Sequence, residues 1–528
     1  MASDLEWWQR AVIYQLVVPS FKDSNGDGIG DLRGVIAELD YLEWLGVDAV
    51  WLSPIYPTPL RDLGYDVSHF TDVDPRFGTL ATFDELLAAA HRRGIAVILD
   101  WVPNHTSDEH PWFVESRASR RNGRRAWYLW RDAKSDGSPP SNWISVFGGS
   151  AWEWHAPTGQ YYLHTFHRTQ PDLNWRNPEV QEAMLGTLRF WLDRGVDGFR
   201  VDACCLLFKD PEFRDNPANP DYRPGDGPDS TLLPVHTRDQ PGLHEALARI
   251  RALTDSYPGE RVLLGELYLP LAKVMAFYGG ARPELHLPLH MSLSWTPWDA
   301  DALATALEDH QGAVPPGGWP GTTLSTHDAP RIAARAGSAQ TRLAAMLLET
   351  LRGTITHYYG EEIGMHGVPL PAKSARDPQG RRTGRTRDPE RTPMQWDDSP
   401  NAGFTSGTPW LPVGADYVAH NVRTQREDPG SLLALYRRLI ALRRQEPALI
   451  GGAFERMPCD PPLLAFRRRA GSQVFLVALN LGTEPIDYPL ERASGGHIVL
   501  STLLDREGER CTRRIALRGC EGVILATG

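Results

Sequence analysis

Ionisable residues stand at the ends of several short, β-branched runs in this sequence. They are Asp100, Arg200, Asp202, Glu266, His327 and Asp328. A charge inside a β run costs several kcal/mol unless it is paired, so any one of these residues is most simply explained as a structural ion pair. Several ionisable residues gathered at the same end of one sheet are hard to explain as structural ion pairs alone. Acidic residues brought together at such an end could act as acid and nucleophile on a glycosidic bond.

The run GFRVDA at 198–203 and the run VLLGE at 262–266 predict a division of roles. Arg200 and Asp202 are two residues apart, so both project to one side of a strand. The arginine should favour the ionised form of Asp202. Glu266 follows an apolar run, which should raise its pKa and keep its proton. Asp202 is therefore the candidate nucleophile, and Glu266 the candidate general acid and then base.

Eight strand-like runs, each followed by an amphipathic segment, supply the elements that must position these residues. They lie at 11–17, 49–54, 96–102, 198–203, 262–266, 284–292, 322–328 and 353–363. The alternation predicts an α/β fold, a (β/α)₈ TIM barrel with its chemistry at the carboxyl ends of the strands. The alternative, an open doubly wound sheet, would need a phosphate-binding glycine fingerprint after the first strand, which is absent from the sequence.

Two departures from a simple barrel set the predicted domains. About 75 residues rich in Trp, Pro, Gly and Ser follow the third strand, which is too long for an ordinary connection. We therefore predict an inserted small domain at 104–172, within a barrel formed by 1–103 and 173–447. Alternating strands after Pro447 predict a C-terminal antiparallel β-sandwich at 448–528.

Composition limits the classes of partner. At 528 residues the chain should form several domains, and its net charge of −11 argues against a nucleic-acid or anionic-membrane surface. No run is apolar enough for a membrane span. Five cysteines without metal or disulfide spacing favour a reducing cytoplasm. Eighteen tryptophans suit a neutral sugar partner, although most Trp side chains are core. The sequence leaves monomer and dimer open.

The stretch DSNGDGIGDLRG at 23–34 presents alternating oxygen ligands, as the first positions of an EF-hand loop do. The twelfth position, where an EF-hand needs a bidentate glutamate, is Gly34. The stretch therefore does not favour an EF-hand. The residues alone leave two alternatives, a divalent-ion loop and a solvated polar turn.

Four segments in the expected order resemble the signature regions of the α-amylase family of glycoside hydrolases. They are DWVPNH at 100–105, GFRVDA at 198–203, GE at 265–266 and STHD at 325–328. QPDLN at 170–174 and RTPMQW at 391–396 are similar to stretches of its oligo-1,6-glucosidase and α-glucosidase subfamily. The resemblance extends from Trp7 into the C-terminal sandwich.

The resemblance implies roles for individual residues. Asp202 would be the nucleophile, Glu266 the acid/base and Asp328 the transition-state stabiliser. The substrate pocket would be lined by Tyr65, Asp66, His105, Phe147, Phe166, Gln170, Arg200, Ala203, His327 and Arg391. The opening loop would hold a structural Ca²⁺ or Mg²⁺ through Asp23, Asn25, Asp27, Ile29 and Asp31. The sequence departs from the family at Thr326, where Asn is common, and at His69, where Asp is usual.

The implied activity is that of a retaining, exo-acting α-glucosidase on short oligosaccharides. Relatives with Val after the nucleophile tend to prefer α-1,6 bonds, so Ala203 favours an α-1,4 preference, worth roughly 1–3 kcal/mol. Sucrose, trehalose and isomaltose stay open as substrates, and so does transfer of glucose to other hydroxyls. The alternatives are a trehalose-forming or sucrose-rearranging isomerase and, from another class, a non-catalytic partner protein like the transporter heavy chains.

Overall fold

The computed structural model of the chain describes residues 5–223, 225–490 and 495–527. Gly528, the last residue of the predicted final strand, lies outside the described residues. Among the helices that are described, we find none with both the length and the apolar character needed to cross a bilayer.

Strands occur in three groups along the described chain. In chain order they are β1 (Val12–Leu16), β2 (Ala49–Leu52), β3 (Ala96–Trp101), β4 (Trp130–Arg131), β5 (Trp152–His155), β6 (Gln160–Leu163), β7 (Gly198–Val201), β8 (Val262–Leu267), β9 (Leu287–His290), β10 (Gly321–Thr323), β11 (Thr354–Tyr358), β12 (Ala453–Arg456), β13 (Leu463–Ala470), β14 (Gln473–Asn480), β15 (Ile486–Pro489), β16 (Gly496–Ser501), β17 (Arg510–Cys511), β18 (Arg514–Leu517) and β19 (Gly522–Thr527).

The α-helices that the structure describes all precede β12, and most of them lie between successive strands from β1 to β11. They are α1 (Trp7–Arg10), α2 (Val18–Phe21), α3 (Leu32–Ala37), α4 (Leu39–Leu45), α5 (Leu80–Arg92), α6 (Pro111–Ala118), α7 (Pro178–Asp193), α8 (Leu243–Asp255), α9 (Leu271–Val274), α10 (Ala300–Ala313), α11 (Ile332–Ala336), α12 (Thr341–Thr350), α13 (Pro378–Thr383), α14 (Val422–Glu427), α15 (Leu432–Gln445) and α16 (Pro447–Ile450). Asn177 caps α7, as its position before Pro178 predicts.

The predicted barrel is confirmed. Eight strands form a parallel sheet in the order β10-β11-β1-β2-β3-β7-β8-β9, which is nearly closed, and each lies within or beside one of the eight predicted runs. Asp100 on β3 is in register with Arg200 on β7, so these two side chains lie on neighbouring strands. A Cβ on Gly198 would lie 2.5 Å from the carbonyl oxygen of Val262, so only glycine fits where β7 enters the sheet.

Alternation along the strands divides the barrel interior into two layers. The lower layer is apolar and includes Ile13, Trp51, Ile98, Leu264, Leu287 and Leu289. Asp100 and Glu266 lie two residues beyond Ile98 and Leu264, so they project into the same interior nearer the carboxyl ends. Phe199, on the other face of β7, packs into the core beneath the helices. The two-residue alternation thus turns these charged side chains into the barrel, and their positions late in each strand place them at its upper rim.

The remaining strands form the insertion and the C-terminal region. After β3 the chain forms a small antiparallel sheet in the order β4-β6-β5, and an isolated bridge between His105 and Asp172 joins the two ends of this segment. At the C terminus a six-stranded antiparallel sheet shares a hydrophobic core with the two-stranded β15-β18 sheet. The chain therefore has the predicted barrel, insertion and C-terminal sandwich.

Candidate active site

The guanidinium group of Arg200 lies at the centre of the candidate site. Its Nη1 donates to Asp100 and to Asp202, each at 2.7 Å, and its Nη2 lies 2.5 Å from Oε1 of Glu266. All four side chains are at most 9% exposed. The two candidate catalytic carboxyls are therefore within reach of one guanidinium group. That arrangement is compatible with the separation of about 5 Å on which a retaining mechanism depends.

Burial sets the protonation of this cluster. It raises the pKa of Asp202 well above its ordinary value, against the opposing charge of Arg200. Burial also raises the pKa of Glu266. The sequence predicted that Arg200 would keep Asp202 ionised, and the ion pair is present. However, three carboxyls share the one guanidinium charge, which offsets the burial of each only in part, so the pKa values of the three are raised and their titrations are linked.

Asp328 has a different environment from that of the central cluster. Its Oδ1 accepts from Arg391 at 2.7 Å and from Arg387 at 3.0 Å, and His327 lies 3.5 Å from its Oδ2. Burial alone would raise the pKa of Asp328, but the guanidinium groups of Arg387 and Arg391 hold it well below the usual range. Asp328 is therefore ionised. With 22% of its side chain exposed, it is more open to the cleft than Asp202 or Glu266.

Tyr65 and His327 connect Asp328 to the central cluster. Their rings lie 5.3 Å apart and are inclined by 6°. The Tyr65 hydroxyl donates to Asp100 at 2.8 Å and lies 2.8 Å from Nε2 of His327, whose Nδ1 accepts from the Gln15 amide at 2.8 Å. Burial lowers the pKa of His327 to about 3, so the ring is neutral and its Nε2 carries the proton.

A second network of hydrogen bonds, which joins Gln170, His105, Asp62 and Arg387, forms what we call the far wall of the site. Nε2 of Gln170 donates to Asp62 at 3.0 Å and lies 3.2 Å from Nε2 of His105. Asp62 in turn accepts from Arg387 at 2.9 Å, and Arg387 also contacts Asp328. The wall formed by the insertion and the wall formed by the segment after β11 therefore meet at one arginine.

Phe147 and Phe166 border this wall. The centres of their rings are 5.7 Å apart and the ring planes are inclined by 63°, and the Phe166 ring lies 5.2 Å from that of His105. The guanidinium of Arg387 lies 4.9 Å from the centre of the Phe147 ring. Both aromatic residues that were predicted to line the pocket therefore lie beside its polar residues.

A buried ion pair supports this wall from behind. Lys209 Nζ lies 2.6 Å from Asp172 and donates to the Asn104 side chain at 2.7 Å; both charged side chains are at most 2% exposed. Asn104 precedes His105 and contacts its Nδ1 at 3.1 Å. Asp172 follows Gln170 by two residues. Lys209 thus ties together the backbone segments that carry two pocket residues.

Two predicted pocket residues act through backbone groups. Asp66 accepts from the backbone N–H of Arg61 at 2.9 Å, and burial raises its pKa to about 6, so it shapes the loop that carries Tyr65. Ala203 has φ of 45°, and its backbone N–H donates to Oε2 of Glu266 at 3.0 Å. The other predicted catalytic and pocket residues are brought together directly by their side chains.

Sequence reasoning missed Asp62, Arg387 and Lys209. Asp62 stands three residues before Tyr65, so its charge and spacing could have indicated it. Arg387 lies in the long segment between β11 and α15, where no strand end marks a position at the rim. Lys209 follows β7 in a similarly irregular segment.

The loop at 23–34 is organised by its own polar side chains. Asp23 accepts from the backbone N–H of Asn25 at 2.9 Å, Asn25 from that of Asp27 and Asp27 from that of Ile29, each at 2.8 Å. Asp31 caps α3. Five oxygen donors suit a hard cation. In the described part of the chain, however, no three His, Cys, Asp or Glu side chains are grouped so that they could hold a metal.

Comparisons with known proteins agree with this geometry. The model of the α-amylase catalytic domain family matches residues 15–452. A probable α-glucosidase of Rhizobium meliloti is 42% identical over 96% of this chain and 95% of its own length. An oligo-1,6-glucosidase of Parageobacillus thermoglucosidasius is 40% identical over 90% of each chain.

Solved structures of similar proteins also include enzymes that act on glucosides. An α-glucosyl transfer enzyme has a TM-score of 0.94 at 41% identity, covering 99% of this chain and 100% of its own. The trehalulose synthase of Pseudomonas mesoacidophila has a TM-score of 0.91 at 33% identity, with the same coverage. Matches of this extent, together with an acidic cluster at the rim of a (β/α)₈ barrel, show that the chain belongs to the α-amylase family.

Proposed function

We propose that this protein is a retaining, exo-acting α-glucosidase that hydrolyses terminal α-glucosidic bonds of short oligosaccharides such as maltose or sucrose. One observation carries the proposal: the Arg200 guanidinium joins the carboxyls of Asp202 and Glu266 at the carboxyl ends of β7 and β8. The names of the relatives, which include α-glucosidases and oligo-1,6-glucosidases, support it.

The reaction takes two steps. In the first, a carboxylate oxygen of Asp202 attacks the anomeric carbon, the bond from that carbon to the leaving oxygen breaks, and Glu266 gives its proton to that oxygen. In the second, Glu266 takes a proton from water, the water oxygen attacks the anomeric carbon, and the ester bond to Asp202 breaks. Burial raises the pKa of both carboxyls, and their titrations are linked through Arg200, so the reactive form is the one in which Asp202 has lost its proton and Glu266 keeps its own.

Asp328 supplies the fixed negative charge of the site. Two guanidinium groups keep it ionised whatever the state of the central cluster. A carboxylate held in place before the reaction can bind sugar hydroxyls and stabilise positive charge that develops at the anomeric carbon. We assign it the role of transition-state stabiliser.

The far wall explains exo-action. Arg387 bridges Asp62 and Asp328 and lies over Phe147, so it closes one end of the cleft. His105 and Gln170 lie beside that end, with Gln170 hydrogen-bonded to Asp62 and to His105, where they would contact the hydroxyls of one terminal glucose. A sugar chain would therefore enter only by its non-reducing end.

We further propose that α-1,4 bonds are preferred, because Ala203 is smaller than valine. The backbone of Ala203 is in the left-handed region, which a β-branched side chain strongly disfavours. Replacing Ala203 with Val should therefore both narrow the pocket and disturb the hydrogen bond to Glu266. The ratio of kcat/KM values for maltose and isomaltose measures the preference.

We also propose that the loop at 23–34 binds a structural Ca²⁺ or Mg²⁺ through Asp23, Asn25, Asp27, Ile29 and Asp31. The support is the donor set of five oxygen atoms at alternating positions. An ion that binds only the folded state raises stability by mass action without entering the chemistry. Thermal unfolding in chelator should then occur at a lower temperature than in millimolar Ca²⁺, and D27A should abolish the difference.

A cytoplasmic location is part of the same proposal. All five cysteines are free, which suits a reducing compartment. Detection of the native protein in a cytosolic fraction, rather than an exported one, is the corresponding test.

Glucosyl transfer is a second candidate activity, favoured by a specific observation. The similar solved structures include an α-glucosyl transfer enzyme and a trehalulose synthase. The covalent intermediate can pass its glucose to any hydroxyl that reaches it in place of water. A non-catalytic role is disfavoured because all three candidate catalytic carboxyls are present and paired: Asp202 and Glu266 with Arg200, and Asp328 with Arg387 and Arg391.

The deciding experiment is product analysis by NMR with the purified protein. An aryl α-glucoside should release α-glucose before mutarotation, as retention requires, and maltose should yield free glucose. A new disaccharide from sucrose or maltose would favour the isomerase instead. Absence of glucose from every substrate in a panel of maltose, sucrose, trehalose, isomaltose and the aryl glucoside would overturn the proposal.

A further inference from the structure

A cavity of about 650 Å³ lies at the junction between the insertion and the barrel, apart from the active site. Its walls come from 120–131 of the insertion, from 174–176 before α7 and from 207–213 after β7. The residues that line it in the described chain include none of the candidate catalytic or pocket residues. A cavity of this size suits a small organic molecule. It is therefore a candidate binding site of its own.

Unpaired positive charge dominates the wall of this cavity. Arg125, Arg131 and Arg176 line it, and none of the three forms an ion pair with a carboxylate of the described residues. Burial lowers the pKa of Arg125 to about 10, so the group is still charged at neutral pH. The two other cations of the wall, Arg120 and Lys209, already have carboxylate partners. Three guanidinium charges are thus left without an anion.

The acidic side chains nearby do not supply that anion. Asp210 lines the cavity, but it accepts from Arg214 at 2.8 Å, and this contact lowers the pKa of Asp210 to about 2. Glu212 acts on Arg131 only from beyond ion-pair distance. The charge of the wall is therefore not cancelled within the protein.

Aromatic rings hold two of these guanidinium groups in place. The guanidinium carbon of Arg125 lies 3.5 Å from the centre of the Trp130 ring, and that of Arg131 lies 4.0 Å from the centre of the Phe213 ring. Contact through its flat face leaves the N–H groups of a guanidinium, which lie in its plane, free for other acceptors. The arginines are therefore positioned without the use of an anion.

Donors of Arg131 and Arg176 are left over for a ligand. Among the described residues, Arg131 donates only through Nη1, to the Trp130 carbonyl oxygen at 2.9 Å. Arg176 donates through Nε and Nη2 to the Lys209 carbonyl oxygen, at 3.2 and 2.9 Å, and its guanidinium carbon lies 5.4 Å from the centre of the Phe208 ring. Fixed arginines with unused N–H groups are what recognition of an oxyanion requires.

We propose that this cavity binds a small molecule that carries a phosphate group, with Arg131 and Arg176 as donors to the phosphate oxygens and Arg125 as a further positive charge. Guanidinium groups match the geometry of phosphate oxygens. Three unpaired cations suit an anion of more than one charge better than they suit a single carboxylate. The inference goes beyond the proposed function and does not depend on it.

A free phosphate ion and a phosphate on an organic molecule share this chemistry. Inorganic phosphate and ADP are therefore the two probes. We expect ADP to bind more tightly, because the cavity has room for an organic body beside the phosphate groups. Either probe bound at these arginines supports the site, and the tighter of the two identifies the source of the phosphate.

The experiment is calorimetric titration of the full-length protein with each probe, in buffers of equal ionic strength. The wild type should show saturable binding, and R131M and R176M should each weaken it about 10-fold or more, since each removes charge-assisted hydrogen bonds. R121M is the matched control, because Arg121 is exposed and lies in the same segment but does not line the cavity. R121M should bind within about 2-fold of the wild type.

A second titration separates this cavity from the active site. With the inactive variant D202N and saturating maltose, ADP should bind as it does without maltose. Displacement of ADP by maltose would place the anion in the active site and overturn the inference. So would the absence of saturable binding of both probes, unchanged binding by R131M and R176M, or an equal loss in R121M.

Activity toward an aryl α-glucoside distinguishes this failure from that of the proposed function. Arg131 is exposed and outside the catalytic machinery, so R131M should hydrolyse the glucoside as the wild type does. That result also shows that R131M is folded when its binding is compared. If the wild type hydrolyses no glucoside, the glucosidase assignment falls, whereas the titrations still decide the role of the cavity.

Discussion

Two regions of the molecule bury guanidinium groups in opposite ways. In the active site, Arg200 is surrounded by three carboxyl groups. Where the barrel meets the C-terminal sheet, Arg443 and Arg468 donate instead to backbone carbonyl oxygens. Those of Arg443 belong to Glu349, Leu351, Gly353 and Leu449, and those of Arg468 to Thr350, Leu449 and Gly452.

The difference appears in the pKa values. Burial lowers the pKa of Arg443 to about 10 and that of Arg468 well below its ordinary value. Burial would do the same to Arg200, but its carboxyl neighbours raise its pKa instead. At the junction, the arginines satisfy carbonyls that the C-terminal end of α12 leaves unpaired. A buried cation beside acids controls protons, whereas one beside carbonyls holds two structural units together.

Among variants that test this contrast between the two regions, we expect the largest effect, a loss of activity, from Asp202→Asn. The variant keeps the shape of the cluster but removes the nucleophile, so kcat/KM should fall on the order of 10⁴-fold or more. Initial rates with an aryl α-glucoside measure it, and circular dichroism should show an unchanged fold. Near-normal hydrolysis by this variant would refute the catalytic assignment.

Arg468→Met tests the other region. Two buried carbonyl oxygens, those of Thr350 and Gly452, lose their donor at roughly 1–2 kcal/mol each, while that of Leu449 keeps Arg443, so unfolding should become about 3 kcal/mol easier. The specific activity of the folded fraction should stay near that of the wild type. Urea unfolding measures the loss, and the exposed neighbour Arg469→Met is the matched control. A large fall in specific activity with unchanged stability would contradict the purely structural role of Arg468.

His357 offers an intermediate case, a buried ring between two acids. Its Nε2 is hydrogen-bonded to Glu349, and its Nδ1 lies 3.5 Å from Glu361. Burial would lower the pKa of His357, but the two carboxylates raise it to about 9.

Because the folded-state pKa lies above the ordinary value, protonated His357 stabilises the fold fully below pH 6.5, and this contribution is lost as the pH rises through 9. The loss should be about 3 kcal/mol at most. Urea unfolding across this range should show a fall in the wild type that H357Q lacks. Equal slopes for the two proteins would contradict the predicted ion pair.

The smallest effect is expected from Lys209, whose ion pair lies next to the active site without touching substrate. Lys209→Met should raise KM roughly 10-fold, because a misplaced His105 binds the terminal glucose less well, and should change kcat less. The double variant K209M/D172N removes both buried charges, so it should recover stability but not KM. If KM recovers as well, Lys209 acts only on stability.

The sequence predicted most of the fold because its signals are local. The β-branched runs, the capping residues of α7 and the shift to alternating strands after Pro447 each depend on neighbouring residues. The metal loop shows the limit. Its spacing left an ion loop and a polar turn open, and the side-chain-to-backbone hydrogen bonds of Asp23, Asn25 and Asp27 are those of a turn that would suit either.

The sequence alone determined that Asp100, Arg200, Asp202 and Glu266 would project into the barrel, because a period of two residues fixes the side of a strand. Only the tertiary structure decided that Arg200 is shared by three acids, since sharing depends on which strands are neighbours. It alone brought Asp62 to Arg387, 325 residues away. The protonation of the site follows from burial and these distant contacts, which no local pattern in a sequence encodes.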